Sequence, residues 1–408
     1  MVLFLDLNTD CLLKIFSFCC ERDLCHLCKV HRFLNEIIEN NVFKIKAMDL
    51  LMCGIRNEPV ILQRTQVSDL SYSSRLKIAR NWLDGRYSER QYFRRSKMFP
   101  TKLILERNWL YISHANYINQ HQRLKSEPLQ RRYHREISTS NKSDIAHFVK
   151  KNNTLFAGRV AGSGFIYEEG SVMEQQLHNP NEYMWCVDFE GDLYATSSDY
   201  YSQIWRREEE FGILHLDLII QLKSSFKTMQ FDCGGTRLYG GLYDSKNERR
   251  ALREIDVESG YESILNSDTI SVYDLKMKDN NIILTANFDS SFRIFDRRSN
   301  NDEAVWEDPF DSSFYCLEYD GLYAVLCGTK RHNRVNLYDI RVPGKHMQLY
   351  FPHFQGKERG DFRTSPVYSI ACDSRYMFVA TDRKVHVLDF KVDGCAVSRD
   401  YSHFNFIR

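Results

Sequence analysis

Proline is scarce in this chain, 8 among 408 residues, and net charge is almost absent, with 55 Lys and Arg set against 54 Asp and Glu. The first scarcity, with 13% aromatic content, suits many short strands and a small helical remainder. The second removes any global pull toward nucleic acid or a membrane surface. The opening Met1–Leu5 places five apolar residues before Asp6, too few for a membrane span or a secretion signal. Without such a signal, the twelve cysteines point to a reducing compartment, cytoplasm or nucleus. Motifs of catalysis are missing as well: no G-x-S-x-G, no H-E-x-x-H, no phosphate loop and no Rossmann glycine pattern. Gly162-Ser163-Gly164 sits in a turn that needs only positive backbone torsions. No catalytic residue, enzyme activity, cofactor or metal is therefore expected.

What the chain does have is a repeat. Asn281–Asp296 reads as two short strands, Ile282–Ala286 and Phe292–Asp296, around a turn at Phe288–Ser291. A hairpin this short is not stable alone. Copies follow at Gly321–Asp339, Arg375–Asp389 and Gly191–Trp205, and weaker ones at Thr236–Asp256, Thr154–Tyr167 and Asn108–His121. Each is preceded by an apolar strand: Lys102–Leu105, Ile145–Val149, Trp185–Phe189, Thr228–Phe231, Val272–Leu275, Tyr315–Tyr319 and Val367–Ala371. Seven units at about 40 to 50 residues predict a seven-bladed β-propeller over residues 99–408, an all-β fold that grows blade by blade. The turn residues Asp199, Asp289 and Asp382, and the strand-end pairs Phe295-Asp296, Tyr338-Asp339 and Leu388-Asp389, resemble degenerate WD40 repeats. The last blade shows three strands, ending at Phe390. Its fourth is either the tail, Ala396–Phe406, or Gln91–Phe99, and either would clasp first and last blades together.

Residues 5–38 follow a different period. Leu5, Leu7, Leu12, Leu13, Ile15, Phe16 and Phe18, then Leu24, Leu27, Val30, Phe33, Leu34, Ile37 and Ile38, recur at helical spacing. Asn8 or Thr9 suits the first cap, and Asp23 the start of the next helix. So short a segment offers too little surface for a core of its own, so apolar residues should meet a partner or the following helices. Cys19, Cys20, Cys25, Cys28 and His31 look like half of a zinc site. A structural site needs a second, separated pair, and these cysteines read as small buried apolar residues instead. Residues 42–98 read as a linker with helices at Val42–Cys53 and Ser73–Leu83. Its basic run from Arg75 to Lys97 interleaves with Trp82, Tyr87, Tyr92 and Phe93. That pattern fits a solvated face whose stems pack on a neighbour better than a nucleic-acid site.

The runs L-D-L-N-T-D-C-L-L-K-I-F-S-F-C and D-L-C-H-L-C-K-V-H-R-F-L-N-E-I-I resemble an F-box over residues 1–41, with Asn8 where that family has Pro and Phe33 where it often has Trp. The blocks S-R-L-K-I-A-R-N-W-L-D-G-R, W-L-Y-I-S-H-A-N-Y-I, D-I-A-H-F-V and S-P-V-Y-S-I-A extend the resemblance to the F-box/WD-repeat proteins. It implies docking on the adaptor Skp1 and, through it, on a cullin-RING ubiquitin ligase. The residues matching that role are Leu7, Leu12, Leu13, Ile15, Phe16, Leu24, Leu27 and Val30, and an apolar helix face in a partner groove is the physical form of such recognition. The propeller would then hold an unknown protein target. Tyr200, Tyr201, Lys330, Arg331, His332, Arg383 and Lys384 occupy turns between second and third strands, and Lys357, Arg359 and Arg363 precede the last blade. If these cations converge they suit an acidic or phosphorylated peptide, and otherwise they are ordinary polar turns. Against the ligase subunit stands a WD-repeat scaffold whose N-terminal helices merely cap it. A receptor would leave Leu12, Leu13, Ile15 and Phe16 exposed; a cap would bury them.

Overall fold

Every one of the seven repeats forms a four-stranded antiparallel sheet in a computed structural model that describes residues 4–56, 60, 63–64, 70–93, 102–245, 248–352, 365–382 and 384–393. Blades one to six take their strands in sequence order from 103–138, 145–176, 184–222, 226–264, 272–307 and 314–350. The first strand of each lies innermost and packs against the first strands of neighbouring blades. The alternation that marked these strands is the reason: apolar residues such as Phe156, Tyr194, Leu238, Leu284 and Val325 fill the interfaces between blades. Polar side chains then stitch one blade to the next. His147 Nδ1, Asp188 Oδ2, Gln230 Oε1, Asp274 Oδ2 and Ser369 Oγ accept backbone N–H groups of Val187, Phe231, Met277, Leu317 and Leu103 at 2.7–3.4 Å.

Close approach between blades needs small residues at defined places. A Cβ built on Gly241 would lie 2.6 Å from Val272 Cβ. Gly241→Val is expected to overpack this contact and destabilise the fold by about 1–3 kcal/mol, read as a lower denaturation midpoint; an unchanged midpoint would contradict the packing described.

Blade seven holds Ser369–Cys372, Tyr376–Ala380 and Val385–Asp389, and its outer strand is Ser88–Tyr92. Ser88 pairs with Asp389 and Tyr92 with Val385. The ring is thus closed from the N-terminal side, by a strand sharing only Gln91 and Tyr92 with the expected Gln91–Phe99; the alternative closure at Ala396–Phe406 lies outside the described residues. The propeller begins inside what the sequence marked as linker.

The N-terminal helices are α1 (Thr9–Phe16), α2 (Glu21–Val30), α3 (Arg32–Ile37) and, after a π-helical turn at Ile38–Phe43, α4 (Lys44–Ala47). Asn8 Oδ1 accepts from Cys11 N at 2.8 Å and caps α1. Cys20 rather than Asp23 caps α2, its sulfur accepting from Asp23 N, and His31 Nδ1 accepts from Phe33 N to cap α3. The burial expected of the cysteines is met only in part: Cys20 and Cys25 are exposed, Cys19 and Cys28 half-buried. The helix expected over Val42–Cys53 stops at Ala47, because Leu51, Met52 and Cys53 turn into the propeller core and Met52 adopts φ +62°, its N–H held by Asp320 at 3.1 Å.

Helix α5 (Tyr72–Leu83) joins the two parts. Tyr72 and Leu76 pack on the N-terminal helices, while Ile78, Ala79 and Trp82 belong to the core of blades six and seven. Asn81 Nδ2 donates to Phe390 O at 2.8 Å, and Arg75 Nη1 to Cys53 O at 3.2 Å. Arg80 pairs with Glu21 of α2 and Lys77 with Asp393. The basic-aromatic run is thus largely spent inside the chain, and Arg94, Arg95 and Lys97 lie outside the described residues. No helix among the described residues is long and apolar enough to cross a membrane.

Candidate functional site

Two surfaces are open to partners, one at each end of the arm. On the N-terminal helices the apolar residues divide into two sets. Leu12, Phe16 and Leu24 are fully buried with Leu34, Ile37, Ile38 and Phe43, in a cluster that contains no propeller residue. Of the four residues that a receptor was expected to expose, only Ile15 is exposed; Leu12 and Phe16 are buried and, with Leu24, pack in the core of the helical module, and Leu13 is half-buried. Leu7, Leu13 and Leu27 are half-buried at its margin. Ile15 is 39% exposed and Val30 72% exposed, and they are joined on the surface by Phe4, Leu5, Phe18, Phe33 and Ile45. Cys11 and Ile15 lie four residues apart on one stripe of α1, which Phe18 continues beyond the helix end. Seven large apolar side chains are thus exposed on some forty residues.

At the propeller, a central channel of about 390 Å3 is lined by the inner strands of all seven blades. The arm reaches one end of it. Arg64 enters beside Glu318, which also accepts Lys276 Nζ at 2.5 Å. Burial alone would raise the Glu318 carboxyl, but Arg64 and Lys276 hold it below the usual carboxylate range. That end carries the turns joining first and second strands, so among the described residues the arm leaves the opposite end, with the turns joining second and third strands, uncovered.

A feature of that open end was not legible in the sequence. In blades two to six the inner strand slips register near its start, between Ile145 and His147, Met184 and Cys186, Phe226 and Thr228, Val272 and Asp274, and Phe314 and Cys316. The residues passed over are Ala146, Trp185, Lys227, Tyr273 and Tyr315, and such a bulge re-aims a side chain out of the ladder. Three of them meet aromatic neighbours. Trp185 stacks on Tyr243 at 5.8 Å and 8°, Tyr243 lies 5.8 Å from Tyr273, Tyr273 4.9 Å from Tyr315, and Tyr315 6.2 Å from Tyr368 at the start of blade seven. The result is a crescent of rings running from blade three to blade seven. The Lys227 ammonium sits 3.7 Å from the Trp185 ring centroid, and burial, opposed by Asp199 among others, brings its pKa down to about 8. Burial also raises the phenols of Tyr273, Tyr315 and Tyr368, which stay protonated donors.

The turn residues singled out by sequence do not all converge on this crescent. Lys330 lies over Phe288 at 5.2 Å, and Phe288 is 5.6 Å from Tyr273, so Lys330 joins it. Tyr200 is exposed on its blade, and Tyr201 packs on His178 at 5.0 Å. Arg331 is exposed; His332 is half-buried at φ +70°. Lys384 reaches away from the channel to Gln91 on the closing strand, 2.9 Å. Arg383, Lys357, Arg359 and Arg363 lie outside the described residues.

A small helical module with its own core, joined by α5 to a seven-bladed propeller, is the build of one class, and the model of the F-box domain matches residues 4–46. The chain thus joins an F-box domain to a seven-bladed propeller, the architecture of the F-box/WD-repeat proteins, which it resembles. It is 26% identical to F-box/WD repeat-containing protein 4 of Mus musculus, also called dactylin, over 94% of this chain and 93% of that protein. The protein of the same description from Homo sapiens is likewise 26% identical, over 94% of this chain and 92% of its own length. The F-box match runs five residues past the boundary at residue 41 expected from sequence, into α4.

Proposed function

We propose that this chain is a non-catalytic substrate-recognition subunit of a Skp1–cullin–F-box ubiquitin ligase, working in the cytoplasm or nucleus: the F-box docks on Skp1, the propeller's open end holds the protein to be ubiquitinated, and other subunits carry out transfer. The observation that carries the reading is the division of apolar residues on the F-box. Its core is already complete, and a second apolar set, Ile15, Phe18 and Val30 among them, remains uncovered by propeller or arm. A helical cap would bury its apolar surface against the blades; here the buried set packs on its own module and on α5.

The arm gives the two surfaces a fixed relation, which a ligase subunit needs, since a flexible joint would dilute the target's effective concentration at the site of transfer. Ile15→Asp combined with Val30→Asp places charges on exposed positions and leaves Leu12, Phe16 and Leu24 in place. Co-purification of Skp1 with this variant is expected to fall by tenfold or more relative to the parent, with the thermal transition unchanged. Equal recovery of Skp1 by both proteins, or none by a folded parent, would sink the assignment.

A further inference from the structure

The chemistry of the open end narrows the class of target. Among the described residues of this face, most guanidinium groups that could clamp a phosphate are engaged by the chain's own carboxylates, while Arg331 is exposed on its turn. Arg159 pairs with Glu174 at 3.1 Å, Arg249 with Asp268 at 2.8 Å, Arg293 with Asp289 and Asp302 at 2.9 Å each, and Arg334 with Asp308. What the channel mouth offers instead is a run of aromatic faces, Trp185, Tyr243, Tyr273, Tyr315 and Tyr368, with the ammonium of Lys227 set on the first of them.

Rings in this arrangement take apolar or aromatic side chains by stacking. Lys330 stands over Phe288 further along the crescent, while at the Trp185 end the partly desolvated Lys227 ammonium suits a single negative charge. It repels a lysine or arginine in the same place, and it is a poor match for a phosphate carrying nearly two charges and three acceptor oxygens, which draws on fork-shaped donors.

We propose that the crescent binds an unphosphorylated degron, a peptide segment of the target that sets an apolar or aromatic side chain beside a carboxylate. The apolar side chain lies across Tyr243, Tyr273 and Tyr315, and the carboxylate meets Lys227 at the Trp185 end. This rests on the substrate-receptor reading above and names the target class for that same site. It also places most of the recognition residues at the starts of the inner strands, with Tyr243 in the turn of blade four, rather than at the turn residues that sequence singled out.

The test is selection of a displayed library of random nine-residue peptides on the full-length chain, with half of the library treated beforehand with serine/threonine and tyrosine kinases. The selected peptides are expected to share an apolar or aromatic residue within two positions of Asp or Glu, equally in both halves. Their recovery is expected to fall at least tenfold on Lys227→Met and on Tyr243→Ala. Tyr243 is half-exposed, so its loss leaves the fold intact, as the thermal transition of each variant will verify. Selection of phosphopeptides, selection of basic peptides, recovery unchanged by either variant, or no selected class at all would each overturn the proposal. Skp1 capture is scored on the same preparations. A chain that selects these peptides without holding Skp1 sinks the ligase reading and leaves the crescent's assignment standing; a chain that holds Skp1 but selects no such peptide does the reverse.

Discussion

Trp82→Ala is expected to cost about 3–5 kcal/mol of unfolding free energy, among the largest effects of any single truncation in the chain. Trp82 is fully buried where α5 meets blades six and seven. Its ring stacks on Phe390 at 3.5 Å between centroids and 13° between planes, and meets the Tyr350 edge at 5.7 Å. Its indole N–H donates to Ser374 O at 3.0 Å, and its carbonyl accepts from Tyr350 O–H at 2.7 Å. Truncation therefore opens a cavity and leaves Ser374 O with only the weak Cys53 thiol donor at the seam that joins arm to propeller. Denaturant unfolding reads the loss directly, and a change under about 1 kcal/mol would show that the arm is not part of the cooperative core. A second consequence separates the arm's role from simple stability. Skp1 capture by the variant is expected to persist under conditions where it stays folded, because the F-box core is separate, while transfer of ubiquitin to a propeller-bound target falls.

Asp308→Ala should approach the same size by a different route. Asp308 lies buried in the connection between blades five and six. Its Oδ1 accepts from Arg334 and from Asn336 Nδ2 at 2.7 Å, and its Oδ2 from the backbone N–H groups of Phe310 and Ser312 at 3.0 and 2.8 Å. The Arg334 side chain is entirely buried. Removing the carboxylate leaves that guanidinium in the interior with no counter-charge, at a cost of about 3–5 kcal/mol. The double variant Asp308→Ala, Arg334→Leu is expected to recover part of the loss, since an apolar pair avoids the uncompensated charge. Were the single and double variants equally destabilised, the carboxylate would matter only for its backbone contacts.

How much of this was written legibly in the sequence follows from which signals are local. Period-2 alternation and a repeating turn are local, so all seven blades could be placed and their inner strands located to within a few residues. The helices α1, α2 and α5 were legible for the same reason. The closing strand was located only roughly, since Ser88–Tyr92 pairs with a strand some 300 residues away and nothing nearby records that partner. The F-box residues show a subtler limit. A helical stripe says that a residue is apolar and periodic, not whether its own module or a second protein covers it; Leu12 and Ile15 belong to the same pattern, yet one is fully buried and the other is 39% exposed. The aromatic crescent was hidden because it depends on bulges. Trp185, Tyr273 and Tyr315 read as ordinary strand residues until the register slip turns them out of the ladder. Arg64 and Glu318, 254 positions apart in the chain, meet only because the arm passes the channel.

The central claim is that the chain holds an adaptor by residues 4–46 while leaving the far end of the propeller free. Hydrogen exchange of the full-length chain, measured with and without Skp1, tests this most directly. The account predicts slowed exchange at α1, α2 and α3 on adding Skp1 and no change at the inner strands or at the turns around Tyr200, Phe288 and His332. Slowed exchange on the propeller face with the F-box helices unchanged, or no change anywhere at saturating Skp1, would contradict it.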